Sequence, residues 1–254
     1  MLSSKTILIT GVSSGIGAET ARLAQARGAH VIGVDRVAPT FAVDTFHLTD
    51  LSDPQAIAAL VKDLPSGISA LANVAGLPGT AGAHKVAAVN YLGLRHLTES
   101  LATKLAPEGS IVHLASIAGA AWSERLSLHK ELAHSDSFEA GAEWLARHPV
   151  ADDFSYPYFK EALLVWSAMR SAHWWRERGI RMNCVSPGPV ETPILADFRA
   201  SLGDARVQGD IDRVGRAGTP ADVAVVVLFL CSDDARWING ANIATDGGLA
   251  ASFL

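Results

Sequence analysis

The chain has 254 residues, of which 49% are apolar and 19% are charged, a balance typical of a folded globular protein rather than a disordered one. The formal net charge of −5 gives no basic surface of the kind that binds nucleic acid. No apolar run approaches the length needed to cross a bilayer, so we expect no membrane-spanning helix.

Short apolar runs alternate with longer helical patterns along the chain. Seven strands are predicted, at Thr6–Thr10, His30–Asp35, Thr45–Leu48, Ala70–Val74, Ser110–Leu114, Arg181–Val185 and Asn242–Thr245. Helices are predicted at Ile16–Arg27, Pro54–Lys62, Lys85–Lys104, Tyr156–Arg178 and Pro220–Leu230. The strand runs are largely continuous in apolar residues, which suits strands buried on both faces of a parallel sheet. The alternation predicts an α/β fold, a doubly wound and mostly parallel sheet (Rossmann fold) flanked by helices, in one domain covering residues 1–254.

Two segments interrupt this alternation, residues 119–155 and residues 191–219. Long segments of this kind inside compact domains tend to be lids or binding loops. We interpret the first as a helical insertion between the fifth strand and the helix that begins at Tyr156. The second is interpreted as a substrate or cofactor loop, which can act as a lid.

A glycine-rich turn joins the first strand to the first helix. Gly11, Gly15 and Gly17 let the chain turn tightly, so that backbone N–H groups and the helix N-terminus approach a pyrophosphate; Ser14 and Ile16 belong to the same turn. The spacing Gly-x-x-x-Gly-x-Gly differs from the commoner Gly-x-Gly-x-x-Gly, and such a cluster alone is also found in ordinary strand-to-helix turns.

An acidic residue at the end of the second strand strengthens the nucleotide interpretation. Asp35 can bind the ribose 2′-hydroxyl of NAD and would repel the 2′-phosphate of NADP, whereas Arg36 partly offsets that repulsion. We therefore expect NAD, with NADP less favoured. Asp50 and Leu51, after the third strand, are candidates for the border of the adenine site, although Asp50 can equally cap the helix near Pro54.

Tyr156 and Lys160 are four residues apart at the start of a long predicted helix, so their side chains leave the same face. An ammonium group beside a phenol favours the phenolate and lowers the pKa of the phenol, which would suit Tyr156 to general acid–base catalysis. The spacing alone is equally typical of an amphipathic helix with a buried tyrosine and a solvated lysine.

Further motifs occur in a fixed order: Asn73-Val-Ala-Gly76, Asn90, Ser116, Tyr156-x-x-x-Lys160, Pro187-Gly188-Pro-Val-Glu-Thr192 and Asp246-Gly-Gly. Together with the glycine turn, this series resembles the short-chain dehydrogenase/reductase family over nearly the whole chain. Within the family, the long gap between Ser116 and Tyr156 resembles the branch of 3α-hydroxysteroid dehydrogenase/carbonyl reductases. The stretches from Leu128 to Leu132 and from Tyr158 to Leu163 are similar to bacterial coniferyl-alcohol dehydrogenases.

The resemblance implies roles for these residues. Tyr156 would be the acid/base, Lys160 would lower its pKa and bind the nicotinamide ribose, and Ser116 would donate to the substrate oxygen. Asn90 would hold a water in a proton relay to the lysine. Cofactor contacts would come from two groups: Asn73, Ala75 and Gly76 beside the adenine ribose, and Pro187, Gly188, Val190 and Thr192 beside the nicotinamide. Asp246-Gly-Gly is interpreted as a structural turn.

The insertion carries apolar side chains among charged ones: Trp122, Leu126, Leu128, Phe138, Trp144 and Phe154. They are suited to forming the walls of a pocket for a planar or aromatic alcohol, but equally to anchoring the insertion or contacting another subunit. The leading hypothesis is an NAD-dependent dehydrogenase of an aryl-allylic, coniferyl-alcohol-like alcohol. The alternatives are a 3α-hydroxysteroid dehydrogenase/carbonyl reductase and, outside enzymes, an NAD(H)-sensing regulator. We expect a homo-oligomer, with a dimer favoured.

The remaining reactive residues give little sign of another site. His129, His134 and His148 lie in the insertion without regular ligand spacing, so no metal is expected. Cys184 and Cys231 lie in apolar runs and are interpreted as buried thiols, as in a reducing compartment. The N-terminus turns straight into a strand and lacks a signal-peptide pattern, so the expected location is cytoplasmic.

Overall fold

A computed structural model describes residues 2–254. Its strands are β1 (Thr6–Thr10), β2 (His30–Asp35), β3 (Thr45–Leu48), β4 (Ile68–Asn73), β5 (Leu105–Leu114), β6 (Arg181–Pro187) and β7 (Asn242–Thr245). They form one sheet in the order β3-β2-β1-β4-β5-β6-β7, and each neighbouring pair is parallel. The predicted doubly wound parallel sheet is confirmed. Its strand order reverses between β1 and β4, where open sheets of this kind bind ligands.

Helices cover both faces of the sheet. They are α1 (Gly15–Ala26), α2 (Pro54–Asp63), α3 (Ala83–Ala87), α4 (Leu94–Ser100), α5 (Leu126–Ala133), α6 (Phe138–Arg147), α7 (Ser155–Arg178), α8 (Pro193–Leu202), α9 (Asp204–Val214) and α10 (Pro220–Cys231). None of them, over the residues described, is long and apolar enough to cross a membrane.

The alternation of side chains along β1 separates two apolar cores. Leu8 points into the core that α2, α4 and α7 cover, whereas Ile7 and Ile9 point into the core that α1 and α10 cover. All three side chains are fully buried. Burial on both faces explains the continuous apolar runs, because neither face of a central strand meets water.

The helix predicted at Lys85–Lys104 is wrong as a single element. α3 and α4 are separated by a π-helical segment at Ala88–Gly93, and α4 ends at Ser100. A Cβ on Gly93 would lie 1.8 Å from the carbonyl oxygen of Leu51, so the widened turn sits directly against the loop after β3. That contact is between distant parts of the chain, and local periodicity does not reveal it.

The other boundaries agree with prediction to within two residues, with one exception. β5 begins at Leu105 instead of Ser110, because Leu105 pairs with Ile68 before an irregularity in the β4–β5 register. The two segments that interrupt the alternation of strands and helices are largely helical. Residues 119–155 contain α5 and α6, and residues 191–219 contain α8 and α9. The predicted helical insertion between β5 and α7 is confirmed.

Candidate active site

The turn between β1 and α1 is built almost entirely of backbone. Gly11 has a φ of +79°, and a Cβ placed on Gly17 would lie 2.0 Å from the carbonyl oxygen of Gly11. Ser14, at the N-cap of α1, makes no side-chain capping bond, so the first N–H groups of the helix have no capping partner from that side chain. Close glycine packing and a helix N-terminus make a cradle that fits a pyrophosphate.

Thr10 joins this turn to the next strand end. Its hydroxyl oxygen accepts hydrogen bonds from the backbone N–H of Val74 at 3.0 Å and of Ala75 at 3.1 Å. Gly11 also lies against Ala75, because a Cβ on Gly11 would stand 2.8 Å from the Ala75 nitrogen. The carboxyl ends of β1 and β4 are therefore fixed together at the position where the strand order reverses.

Asp35 ends β2 and holds the outer side of the same turn. Its carboxylate accepts from the backbone N–H of Ser13 at 3.0 Å and of Val37 at 3.2 Å. Asp50 accepts from the backbone N–H and hydroxyl of Ser52 at 2.8 and 2.7 Å, which lowers the pKa of Asp50. The alternative role of Asp50 as a helix cap is wrong, because Asp53 accepts from Gln55 N–H at the start of α2.

A cleft of about 720 Å³ runs along this edge of the sheet. Its volume lies in the usual range for small-molecule and cofactor sites. Many residues predicted to bind the cofactor line it: Gly11, Ser14, Gly15, Ile16, Gly17, Asp35, Arg36, Asp50, Leu51, Ala75, Gly76 and Thr192. Sequence reasoning missed other lining residues, which include Thr49, Val74, Leu77, Pro78, Thr80, Lys85, Leu114, Pro193, Ile194 and Asp197. Thr49 and Val74 follow directly on strand ends and Leu114 ends β5, which is the signal that could have identified these three. The others lie in the segment after β4, in α3 and in α8.

Asn73, predicted to lie beside the adenine ribose, does not line the cleft. Asn73 is buried, and its Nδ2 donates to the Thr98 hydroxyl at 3.0 Å and lies 3.1 Å from Nδ1 of His113. Side chains two apart on a strand share a face, and Asn73 therefore points into the same core as Leu71. Burial lowers the pKa of His113 to about 3, so its imidazole is neutral in this network.

Three residues predicted beside the nicotinamide shape the loop after β6 and do not line the cleft. Gly188 packs against Asp246, whose Cβ would be 3.0 Å from a Cβ on Gly188. Val190 is buried and forms a bridge with Gly218, while Pro187 is the last residue of β6. Thr192 does reach the cleft: its Cγ2 would lie 3.2 Å from a Cβ on Gly15.

Ser116, Tyr156 and Lys160 come together next to Leu114, which lines the cleft, although none of the three side chains is itself part of the lining. Ser116 follows β5, and Lys160 Nζ donates to the carbonyl oxygen of Leu114 at 2.6 Å while lying 5.5 Å from the centre of the Tyr156 ring. Burial raises the pKa of Tyr156 to about 12, although a hydrogen bond with Ser116 opposes this rise. Burial also lowers the pKa of Lys160 to about 8.

Contrary to expectation, Lys160 does not lower the pKa of Tyr156 in this structure. The ammonium is directed to the Leu114 carbonyl and lies over the ring, so it does not offset the cost of burying a phenolate. The nearest stabilising group for the Tyr156 oxygen is the Ser116 hydroxyl. The two ionisable groups nevertheless have pKa values moved in opposite directions, a pattern that is common at proton-transfer sites.

Asn90 lies in the π-helical segment and is buried. Its Oδ1 accepts from Leu77 N–H at 2.7 Å, and its Nδ2 donates to the Leu77 carbonyl at 2.9 Å. A Cβ on Gly76 would stand 3.4 Å from Asn90 Oδ1 and 3.9 Å from Lys160 Nζ, so the predicted pair is brought together. Both ends of the side-chain amide, however, already hold the Leu77 backbone.

Helix α8, in the second predicted loop, packs against Tyr156. The Phe198 ring of α8 lies 4.9 Å from the Tyr156 ring, and Asp197 accepts a hydrogen bond from the Thr80 hydroxyl at 2.8 Å across the cleft. Neither residue was predicted from the sequence. The signal was present, because a helix that begins at Thr192-Pro193 presents residues 194, 197 and 198 on one side.

The apolar residues of the insertion have different surroundings. Phe138, Trp144 and Phe154 pack on the core under α7, which favours the anchoring role. Trp122 and Leu126 line a second cavity of about 360 Å³ beside α7, and Leu128 is partly exposed. Among residues 2–254, no cluster of His, Cys, Asp and Glu is arranged to hold a metal, and Cys184 and Cys231 are both free and buried.

Comparison with known proteins identifies the group to which the chain belongs. A family model described as short chain dehydrogenase matches residues 5–128, and one described as Enoyl-(Acyl carrier protein) reductase matches residues 146–250. The chain is 50% identical to a coniferyl-alcohol dehydrogenase from Pseudomonas sp. strain HR199, with 100% of this chain and 99% of that protein covered.

More distant relatives agree. The chain is 33% identical to a 3-alpha-hydroxysteroid dehydrogenase/carbonyl reductase from Comamonas testosteroni, covering 96% of each chain. The crystal structure of the 3-alpha-hydroxysteroid dehydrogenase from Pseudomonas sp. B-0831 complexed with NADH superimposes with a TM-score of 0.83 at 30% identity, covering 98% of each chain. The NAD(H)-sensing regulator is thereby set aside, since the relatives are dehydrogenases. The chain belongs to the short-chain dehydrogenase/reductase family and is an oxidoreductase of the kind that uses NAD(P).

Proposed function

We propose that the protein oxidises an aryl-allylic or closely related hydrophobic alcohol, of the coniferyl-alcohol type, with NAD as the hydride acceptor. The observation that carries the substrate class is the similarity to a coniferyl-alcohol dehydrogenase over the full chain, insertion included. The observation that supports the chemistry is the grouping of Ser116, Tyr156 and Lys160 next to Leu114, a residue that lines the same cleft as the glycine turn.

In this proposal Tyr156 is the acid/base. Its phenolic oxygen takes the hydroxyl proton of the alcohol as the phenol's own proton passes to the neutral amine of Lys160, and the Ser116 hydroxyl donates to the substrate oxygen as negative charge develops there. NAD, when bound, accepts the carbinol hydride, which carries the electron pair of the C–H bond. Two hydrogens leave the substrate in all, one as the proton on Tyr156 and one as the hydride, and a carbonyl compound remains.

Lys160 and Asn90 support this proton transfer. With its pKa lowered to about 8, Lys160 can hold or release a proton close to neutral pH, and we assign it proton exchange with Tyr156 and a hydrogen bond to the nicotinamide ribose. Asn90 stands near Lys160 with its amide fastened to Leu77. We propose that this segment holds the water that connects the lysine to solvent.

The glycine turn, with Ser14 and Ile16, would hold the pyrophosphate, and Asp35 would bind the adenine ribose. Asp35 is the basis for NAD preference, since a second negative charge beside it would be repelled; Arg36 limits the size of that preference. Asp50, Leu51, Ala75 and Gly76 would border the adenosine. The loop formed by Pro187, Gly188, Val190 and Thr192 would hold the nicotinamide end.

A second candidate is a 3α-hydroxysteroid dehydrogenase/carbonyl reductase. The long insertion ahead of Tyr156 and the similarity to proteins with that activity favour it. The same residues would act in both directions, because a proton donor for the carbonyl oxygen is the conjugate acid of the base used in oxidation.

We further propose one domain, a cytoplasmic location and a dimer. One sheet contains every strand named above, and the free, buried cysteines are consistent with a reducing compartment. Light scattering at the working concentration tests the oligomer: a monomer peak would remove it.

The test of function is NADH formation with NAD and, separately, coniferyl alcohol, cinnamyl alcohol and a 3α-hydroxysteroid, repeated with NADP. We expect turnover of both aryl alcohols with NAD and little with the steroid. Steroid turnover alone would favour the second candidate. No turnover with any of the three would contradict both substrate assignments and leave the family membership unaffected.

A further inference from the structure

A buried ion cluster lies on α7 immediately after Lys160. The Glu161 carboxylate is 1% exposed and accepts two hydrogen bonds from Arg125, with Nε–Oε2 of 2.7 Å and Nη2–Oε1 of 2.6 Å. The fully buried His129 contributes its Nε2, 2.8 Å from Glu161 Oε2. Arg125 and His129 both belong to the insertion, 36 and 32 residues before Glu161.

The first turns of α7 present two different faces. Tyr156 and Lys160, four residues apart, lie on the side of the cleft. Tyr158 and Glu161, three apart, lie on the side of α5, where the Tyr158 ring meets the His129 ring edge to face at 4.8 Å. One stretch of helix therefore carries both the proposed acid/base and the attachment of the insertion.

The cluster contacts the end of the insertion, and a separate backbone contact lies at its beginning. The Arg125 guanidinium lies over the ring of Phe154 at 4.8 Å, and Phe154 in turn contacts Tyr158. At the beginning of the insertion, a Cβ on Gly119 would lie 2.9 Å from the carbonyl carbon of Lys160. Ser116 precedes the insertion and Tyr156 follows it, so the insertion joins the two groups that would hold the substrate oxygen.

The charges within the cluster are complementary. The hydrogen bond to Glu161 raises the pKa of Arg125, and burial lowers the pKa of His129 against the opposing effect of Glu161. A charged guanidinium, a carboxylate and a neutral imidazole that donates from Nε2 pair with one another, while the buried Nδ1 of His129 has no hydrogen-bond partner in the described part of the chain. Because the guanidinium makes two hydrogen bonds to one carboxylate, it fixes the relative orientation of the two side chains as well as their distance.

We propose that Glu161 is a positioning residue that, through Arg125 and His129, holds the insertion against the catalytic helix and so selects large aryl alcohols over small ones. This proposal rests on the proposed function. It goes further by naming residues that touch neither cofactor nor substrate but determine which alcohol is held between Ser116 and Tyr156.

The chain provides a matched control. Arg170 and Glu99 form a second bidentate pair, with both N–O distances at 2.7 Å, that joins the same helix α7 to α4 and makes no contact with the insertion. E161Q and E99Q therefore remove the same charge from two bidentate pairs that each have one member on α7, although the Glu99 side chain is 36% exposed and that of Glu161 only 1%. R125K keeps the positive charge but loses the guanidinium fork, which separates positioning from simple charge balance.

The experiment has two parts. The first compares kcat/KM for cinnamyl alcohol and prop-2-en-1-ol in the wild-type enzyme and the three variants, together with KM for NAD. In E161Q and R125K we expect the ratio of kcat/KM for cinnamyl alcohol to kcat/KM for prop-2-en-1-ol to fall about tenfold or more. KM for NAD should stay within about threefold of the wild-type value. E99Q should keep the wild-type ratio.

The second part measures amide hydrogen exchange of residues 119–155 in the same variants, which requires no substrate. E161Q and R125K should exchange faster there than E99Q and wild type. The proposal would be overturned if residues 119–155 exchanged at the wild-type rate in E161Q, or if the ratio of the two kcat/KM values were unchanged in that variant. If the wild-type enzyme turns over neither alcohol, the proposed function fails, and the exchange experiment still decides whether the cluster holds the insertion.

Discussion

The two sides of the site are built by different means. On the cofactor side, glycines and strand ends bring backbone close to backbone, as where a Cβ on Gly17 would lie 2.0 Å from the Gly11 oxygen. On the substrate side, a side-chain cluster around Glu161 holds an insertion in place. Backbone packing tolerates almost no change in residue size, whereas a side-chain cluster can be altered by degrees. We therefore expect mutations on the cofactor side to abolish function and those on the substrate side to tune it.

The largest effect should come from Gly17→Ala. The added methyl has no room beside the Gly11 carbonyl, and overpacking of this kind costs about 1–3 kcal/mol or more while moving the pyrophosphate cradle. We expect NADH binding, followed by fluorescence titration, to be lost and the midpoint of thermal unfolding to fall. Gly209→Ala in α9 is the control, since a Cβ there meets nothing within 4 Å; alanine should leave stability equal or higher. Equal effects of both changes would refute the backbone account.

Tyr156→Phe should remove the acid/base while sparing the cofactor side. General acid–base catalysis typically contributes about 10²–10⁴-fold, so we expect kcat to fall by at least about a hundredfold with NADH binding near normal. Tyr158→Phe changes the same atom two residues away, on the face toward α5, and should retain most of the turnover. If Tyr158→Phe were the more damaging of the two, the assignment would be reversed.

Asp35→Asn should change the choice of cofactor. The amide keeps an oxygen for the Ser13 N–H but loses the charge that opposes a 2′-phosphate, while Arg36 remains. We expect the NAD-to-NADP ratio of kcat/KM to fall by about tenfold, the size of a change of 1.4 kcal/mol. Asp44→Asn tests specificity of the effect: Asp44 also accepts a backbone hydrogen bond, from Val31 at 2.8 Å, but does not line the cleft. A shifted ratio in Asp44→Asn would point to general loosening of the sheet.

The same contrast explains what the sequence could predict. Periodicity and glycine spacing are local features of the sequence. The strands, most helices and the glycine turn could therefore be predicted from it. The π-helical segment lies where Gly93 packs against the Leu51 oxygen, and the ion cluster joins residues that are 32 and 36 positions apart in the chain. No local sequence pattern predicts either contact. Two signals were nevertheless present: strand alternation turns Asn73 into the core with Leu71, and Glu161 is a charged residue within an apolar stretch of α7.

The last effect concerns stability, and it isolates Lys160. Its pKa is about 8 in the folded protein and 10.5 when unperturbed, so between those pH values the unfolded chain binds more protons than the folded one. Stability from this group is therefore lowest below pH 8 and rises as the pH increases toward about 10.5, by roughly 3 kcal/mol, since one pKa unit corresponds to about 1.4 kcal/mol. Lys160→Met, which keeps most of the apolar stem, should lack this rise.

Urea denaturation of the wild-type protein and of Lys160→Met at pH 7, 8, 9 and 10 measures the difference directly. Because every other titrating group is common to both proteins, the difference between the two unfolding free energies reports Lys160 alone. It should shift in favour of the wild type as the pH rises, even though the variant leaves the Leu114 carbonyl without its donor at every pH. A difference that stays constant with pH would mean that Lys160 keeps its proton throughout, and its role in proton exchange with Tyr156 would have to be withdrawn.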